Sequence, residues 1–130
     1  MIVLDASAAV ELLLRTPKGE RVMAHLLDGE ATLHAPELLD IEVLHVLRRA
    51  VARGVMTARR AEQSIDVLAS LPCRRHGQSV LRGRCWQLRA NLSTYDAVYV
   101  ALAEALDGTL LTSDRRLASA PGIRARVMVV

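Results

Sequence analysis

Met1-Ile2-Val3-Leu4-Asp5-Ala6-Ser7-Ala8 opens the chain, and its reading decides the fold. Residues 1–5 read as a short strand whose apolar residues do not alternate with polar ones. That is the pattern of a strand buried on both faces in a parallel sheet. The run stops at an acid, and Ser7 is placed to cap a helix over Ala8–Leu14. In sheets of this kind, chemistry gathers at the carboxyl ends of the strands. Asp5 stands at such an end.

The same grammar continues outward. Pro17 breaks the first helix and opens a second, about Lys18–Leu27, before a turn at Asp28-Gly29. Thr32-Leu33-His34-Ala35 is a second strand, ended by Pro36. A long helix spans Glu37–Arg53, closed by Gly54, and Thr57 caps another over Ala58–Ser70. Cys73–His76 is a short strand and Gln78–Ala90 a helix. Ser93-Thr94-Tyr95-Asp96 has the form of a capping box for a helix that ends at Asp107-Gly108. Thr109–Thr112 is a strand, Asp114–Ala118 a helical turn, and Arg126–Val130 the last strand. Strands alternating with helices predict an α/β sandwich around a parallel sheet.

The 130 residues fit one domain, 1–130, large enough to bury a core without staples. Hydrophobic residues make up 52% of the chain, yet aromatics make up only 2%, with no Phe. Leu, Val, Ile and Ala must therefore fill the interior. Cys73 and Cys85 form no disulfide framework or zinc spacing and read as small apolar residues. No stretch has the length of a membrane span or the pattern of a secretion signal, so a soluble, cytoplasmic protein is expected. The net charge is +3, and Lys18 is the only lysine among 17 basic residues. Between Val67 and Tyr95 there is no acid, while Arg74, Arg75, Arg82, Arg84 and Arg89 fall inside. This stretch is a candidate phosphate-facing surface, with a plain solvated face as the alternative.

Four acids carry the functional reading: Asp5, Glu42, Asp96 and Asp114. Asp5 and Asp114 follow strands. Glu42 lies at the edge of the buried stripe of its helix, and Asp96 begins the nearly all-apolar helix Ala97–Ala103. Each alone has a structural explanation as a cap or a solvated helix residue. Brought to one edge, they repel. Two carboxylates about 5 Å apart cost roughly 3 kcal/mol at an effective dielectric of 20. No lysine is near to neutralise them. A hard divalent cation, Mg²⁺ or Mn²⁺, supplies the counter-charge and points to phosphodiester chemistry.

Four segments, in order, carry a resemblance. They are Met1–Ala8, Ala35-Pro36-Glu37-Leu38-Leu39-Asp40-Ile41-Glu42-Val43, Ser93–Ala103, and Leu110-Leu111-Thr112-Ser113-Asp114. Together they resemble the PIN-domain ribonucleases of the VapC toxin type, nearly end to end. The resemblance implies a PIN-like three-layer α/β/α sandwich and a metal-dependent endoribonuclease restrained by a cognate VapB-type antitoxin. It implies Asp5 and Asp96 as principal Mg²⁺ (or Mn²⁺) ligands, with Glu42 completing or orienting that site. Asp114 supports a second metal or an activated water, and Ser7 and Thr112 are polar supports around the pocket. A homodimer with a basic groove for RNA is implied too. The antitoxin is expected in a groove lined by the first two helices and the Glu37–Arg53 helix. One departure is His45, where the family often carries Asn; it either donates into the pocket or simply packs. Asp40, beside Glu42, reads as structural. His25, His34 and His76 show no metal-ligand spacing.

The rivals are a haloacid-dehalogenase-like phosphatase, a phospho-receiver domain, and a non-catalytic PIN-like scaffold that binds RNA or a partner. The first two need a late lysine, and Lys18 comes too early. The scaffold would be expected to lack one or more of the four acids.

Overall fold

The computed structural model describes residues 1–27 and 31–130. The turn expected at Asp28-Gly29 lies outside the described residues. Five strands, β1 (Ile2–Leu4), β2 (Leu33–Pro36), β3 (Cys73–His76), β4 (Thr109–Thr112) and β5 (Arg126–Val129), form one sheet in the order β3-β2-β1-β4-β5. Every pairing is parallel. The helices are α1 (Ala6–Leu14), α2 (Pro17–Leu27), α3 (Leu38–Ala52), α4 (Ala58–Ser70), α5 (Arg82–Gln87), α6 (Thr94–Ala105) and α7 (Arg115–Ala118).

The strand order places the functional edge. The chain steps outward from β1 through β2 to β3, then returns to lay β4 on the other side of β1. Right-handed crossovers put α1 to α4 on one face and α5 and α6 on the other. Accordingly α1, α2, α3 and α4 pack among themselves, while α6 lies across β2, β1 and β4 and against α5. The order reverses between β1 and β4, and open α/β sheets bind ligands in the crevice outside that point. The pairing Leu4↔Leu111 brings Asp5 level with Thr112.

The core is aliphatic, as the composition requires. Val3, Leu4, Leu110 and Leu111 are buried in the two central strands, and every residue of Ala97–Ala103 is buried in α6. Burying each Leu or Val contributes about 1.5–3 kcal/mol. On the other face α2 comes unusually close to α1. A Cβ at Gly19 would stand 2.1 Å from the Glu11 carbonyl oxygen, so only glycine fits there.

Most boundaries agree with the sequence reading. Thr57 caps α4 by accepting from the Arg60 N–H, and Ser93 caps α6 by accepting from the Asp96 N–H. Gly54 closes the α3 region at φ +71. Pro36, expected to stop β2, is its last residue, and two other differences have a clear cause. α1 begins at Ala6 and is capped by Asp5, which accepts from the Ser7 N–H at 3.3 Å; the Ser7 hydroxyl is committed to Asp5 and Thr112 instead. The helix expected over Gln78–Ala90 divides into a 3-10 turn, Ser79–Leu81, and the short α5. Gly83 weakens the window by about 1 kcal/mol relative to Ala. Only Leu81 and Leu88 are buried in it, so packing does not restore the loss.

Candidate active site

A cleft of about 700 Å³ opens at the carboxyl edge of β1 and β4. All four sequence-predicted acids, Asp5, Glu42, Asp96 and Asp114, line it, with Ser7 and His45. Glu11, given no role by the sequence reading, lines it too. Its carboxylate accepts from the Thr16 hydroxyl. The only signal for it was its position one turn after Ser7 on α1. The lining contains no lysine or arginine.

Asp5 is held most tightly. It is 6% exposed. Its Oδ2 accepts from the Ser7 N–H, from the Ser7 hydroxyl and, at 2.8 Å, from the Thr112 hydroxyl. The Thr112 oxygen in turn accepts from the Asp114 N–H at 3.0 Å, and the Ser7 oxygen accepts from the Ser113 N–H at 3.0 Å. Ser7 and Thr112 thus tie the end of β1 to the β4–α7 loop. Burial pushes the Asp5 pKa up; the three hydrogen bonds oppose the rise and the charge of Asp96 adds to it.

Glu42 reaches the cleft from α3, and Asp96 from the first turn of α6. Burial raises the Glu42 pKa, and the charges of Asp5 and Asp96 raise it further. The Tyr99 hydroxyl lies near enough to temper that rise, yet neither Glu42 Oε1 nor the Tyr99 oxygen has a partner in hydrogen-bond geometry. The two groups approach closely without forming a bond. Glu42 Oε1 is therefore a buried acceptor with no donor, a costly state that a ligand would relieve.

Asp114 differs. It caps α7 by accepting from the Arg116 N–H at 2.8 Å, and it pairs with the Arg116 guanidinium at 3.1 Å. The Arg116 contact holds its pKa below the usual carboxylate value. The cleft lacks a neutralising lysine, as expected, but an arginine beside it forms an ion pair with one of the four acids, and its charge also reaches Asp96. A long side chain two residues after a cap acid was the available signal.

Among the described residues, no three Asp, Glu, His or Cys side chains stand close enough to hold an ion between them. That is compatible with a hydrated ion. Mg²⁺ keeps several waters and takes one or two carboxylates directly. The all-oxygen donor set, the neighbouring acid charges that raise Asp5 and Glu42, and the orphaned Glu42 Oε1 fit a hard divalent cation.

The remaining predicted residues fall as follows. His45 is exposed in the cleft lining, not packed. Asp40 is structural: Arg75 donates to both of its oxygens at 2.8 and 2.9 Å. Cys73 and Cys85 are free and half-buried, with thiol pKa values pushed up by burial. Of the arginines in the acid-free stretch, Arg75 is paired with Asp40 and Arg84 with Glu104. His34 and His76, read as without a role, are joined ring to ring at 2.9 Å, and Thr32 bonds His34 at 2.8 Å. Sequence separation hid that pair.

Comparison with known proteins places the fold in a family. The PIN domain family model matches residues 2–123. Ribonuclease VapC12 of Mycobacterium tuberculosis is 45% identical over 130 residues, covering 100% of this chain and 99% of its own. Ribonuclease VapC1 of the same organism is 44% identical over 129 residues, covering 98% and 96%. The crystal structure of VapBC2 from Rickettsia felis, bound to a DNA fragment from their promoter, superposes with a TM-score of 0.72. Its identity is 15%, and the match covers 98% of this chain and 99% of that one. The chain therefore belongs to the PIN-domain family, among the VapC ribonucleases. Among the described residues no helix is long and apolar enough to cross a membrane.

Proposed function

We propose that this protein is a Mg²⁺- or Mn²⁺-dependent endoribonuclease, the toxin of a VapBC pair, that hydrolyses RNA phosphodiester bonds. The observation that carries the reading is one cleft where the charge of Asp96 makes Asp5 harder to ionise and the charges of Asp5 and Asp96 do the same to Glu42, with no Lys or Arg in its lining. Asp5 and Asp96 would hold the ion, and Glu42 would ligate or orient through its unpartnered Oε1. The bound ion would supply activated water and charge stabilisation for in-line displacement at phosphorus. Ser7 and Thr112 fix the Asp5 carboxylate, as outer hydrogen bonds commonly fix ligands. Asp114, tied to Arg116, is the member held in reserve for a second ion or a water.

The partner we propose is a VapB-type antitoxin. Val10, Leu38, Ile41 and Val46 form an apolar wall beside the acids, and Ile41 is 65% exposed. Such a wall from α1 and α3 suits an apolar face of a partner that closes the cleft. A homodimer completes the assembly, and RNA as substrate places its action in the cytoplasm.

The test is cleavage of RNA by the purified protein with Mg²⁺ or Mn²⁺. Wild type is expected to cut, to stop with excess chelator, and to resume on adding metal. Asp5→Ala and Asp96→Ala are expected to be inactive. Cutting that survives chelator would remove the metal from the reading. Hydrolysis of small phosphoesters in place of RNA would make it a phosphatase.

A further inference from the structure

This chain has only one Trp, two Tyr and no Phe, and it spends two of these three aromatics on solvent. Tyr99 is in the core, but Trp86 is 68% and Tyr95 is 60% exposed. A protein so short of aromatics gains nothing for its fold by exposing them. Both lie in the stretch from Val67 to Tyr95 that contains no acid.

Trp86 has a basic setting. Arg82, Trp86 and Arg89 follow an i, i+4, i+7 spacing, so α5 and the turn after it present them on one side. The Arg89 guanidinium lies 4.6 Å from the Trp86 ring centre, within the range of a cation–π contact. Arg89 also donates to the Trp86 carbonyl at 2.8 Å, and Arg82 donates to the Ser79 carbonyl at 2.8 Å. Those bonds anchor the two side chains while leaving their charge unpaired by any carboxylate among the described residues. Arg75 and Arg84, by contrast, are spent on Asp40 and Glu104.

Tyr95 lines the catalytic cleft beside Asp96. The chain between Arg89 and Tyr95 is short enough that their Cα atoms are at most about 22 Å apart. Exposed rings with unpaired arginines alongside are the elements that grip single-stranded nucleic acid: the rings stack bases and the guanidinium groups meet phosphates. A duplex keeps its bases stacked inside and cannot use them.

We propose that Tyr95 and the Trp86–Arg89 pair are two successive base-stacking platforms that lead a single-stranded RNA into the acidic cleft. Tyr95 holds a base next to the cleaved phosphate, and Trp86 holds one farther along. Arg89, on the Tyr95 side of Trp86, holds the backbone between, and Arg82 holds it beyond. This rests on the ribonuclease reading and adds the residues that seat its substrate.

Trp86 is the only tryptophan, so its fluorescence reports on this face alone. The experiment titrates the full-length protein with an unstructured single-stranded RNA oligonucleotide in chelator, to prevent cutting, and compares a duplex of the same sequence. Affinity is read in parallel from the anisotropy of a labelled oligonucleotide, and the oligomeric state by sedimentation. Expected are quenching of Trp86 by the single strand and about tenfold weaker binding for Trp86→Ala and for Tyr95→Ala. Trp86→Phe and Tyr95→Phe are expected to retain most of the affinity. Arg89→Gln is expected to lower the salt dependence of binding by about one ion. In cleavage assays Trp86→Ala is expected to raise KM and leave kcat nearly unchanged.

Wild type that cuts RNA while Trp86→Ala and Tyr95→Ala bind it as tightly would overturn the platforms alone. Wild type that neither cuts nor binds RNA would overturn both readings. Trp86 emission that ignores RNA, with Trp86→Ala turning a dimer into a monomer, would assign the face to a second copy and overturn the proposal.

Discussion

Asp5 and Asp114 are the same local device in two places. Each follows a strand at the sheet's carboxyl edge, each caps the next helix, and β1 and β4 are neighbours. Their electrostatic states are opposite. Asp5 is buried among hydroxyls and near Asp96, and its pKa is raised. Asp114 is paired with a guanidinium, and its pKa is lowered. The difference teaches that the cap does not decide the chemistry. What decides it is whether the first helical turn supplies a counter-charge. Arg116 does so in α7, and nothing does so in α1.

The largest expected effect comes from removing the uncompensated charge. Asn caps a helix as well as Asp, so Asp5→Asn isolates charge from capping. RNA cleavage should fall by about 10²–10³-fold or more, the scale of losing one electrostatic stabiliser. Thermal unfolding should show stability unchanged or raised, by up to about 2 kcal/mol, because sites built for function carry strain. A marked loss of stability would mean that Asp5 serves the fold first.

Thr112→Val comes next. It removes the hydroxyl that donates to Asp5 and accepts from the Asp114 N–H. An activity loss of about 10–100-fold is expected, with about 1–3 kcal/mol of stability lost to the unpaired groups. Full activity in this variant would break the link drawn between the two acids.

Asp114→Asn and Arg116→Ala sharpen the other side. Arg116 is 92% exposed at its side chain, so solvent screens the pair and it adds little to stability. Either change should leave stability nearly unchanged. Arg116→Ala should return the Asp114 titration, followed by NMR, toward the ordinary carboxylate value. An unmoved titration would contradict the role given to Arg116.

The smallest effect is pH-dependent and lies away from the cleft. Burial and the charges of His76, the amino terminus and Arg74 lower the His34 pKa. The unfolded chain then binds the proton more readily, so the stability from neutral His34 is present above pH about 6.5 and is lost as pH falls below it. Denaturant midpoints should decline on acidification through that range, and His34→Gln should flatten the decline.

Much of this was legible in the sequence because it is local. The apolar run before Asp5, the cap residues Thr57 and Ser93, and Gly54 all act within a few residues. Asp5 and Asp114 could be brought together because strand ends in a parallel sheet share an edge, while Glu42 and Asp96, on helices, joined them through the resemblance of their segments. What escaped depends on partners far along the chain. Arg84 meets Glu104, Arg75 meets Asp40, and His34 meets His76, and the fold alone chooses those partners. The split of the Gln78–Ala90 helix escaped for a different reason: a weak helix former at Gly83 sits where packing offers little in return. Arg116 was close to Asp114 in sequence, but Asp-Arg-Arg does not say which arginine turns back.

The most direct measurement is divalent-ion binding by calorimetry, with Mn²⁺ titrated into wild type, Asp5→Asn, Asp96→Asn and Asp114→Asn. The uncompensated acids are predicted to hold the ion. Wild type should bind it, Asp5→Asn and Asp96→Asn should bind it at least about tenfold more weakly, and Asp114→Asn should bind it nearly as wild type does. Unchanged binding in Asp5→Asn and Asp96→Asn, or an equal loss in Asp114→Asn, would contradict the division of the cleft between Asp5 and Asp114.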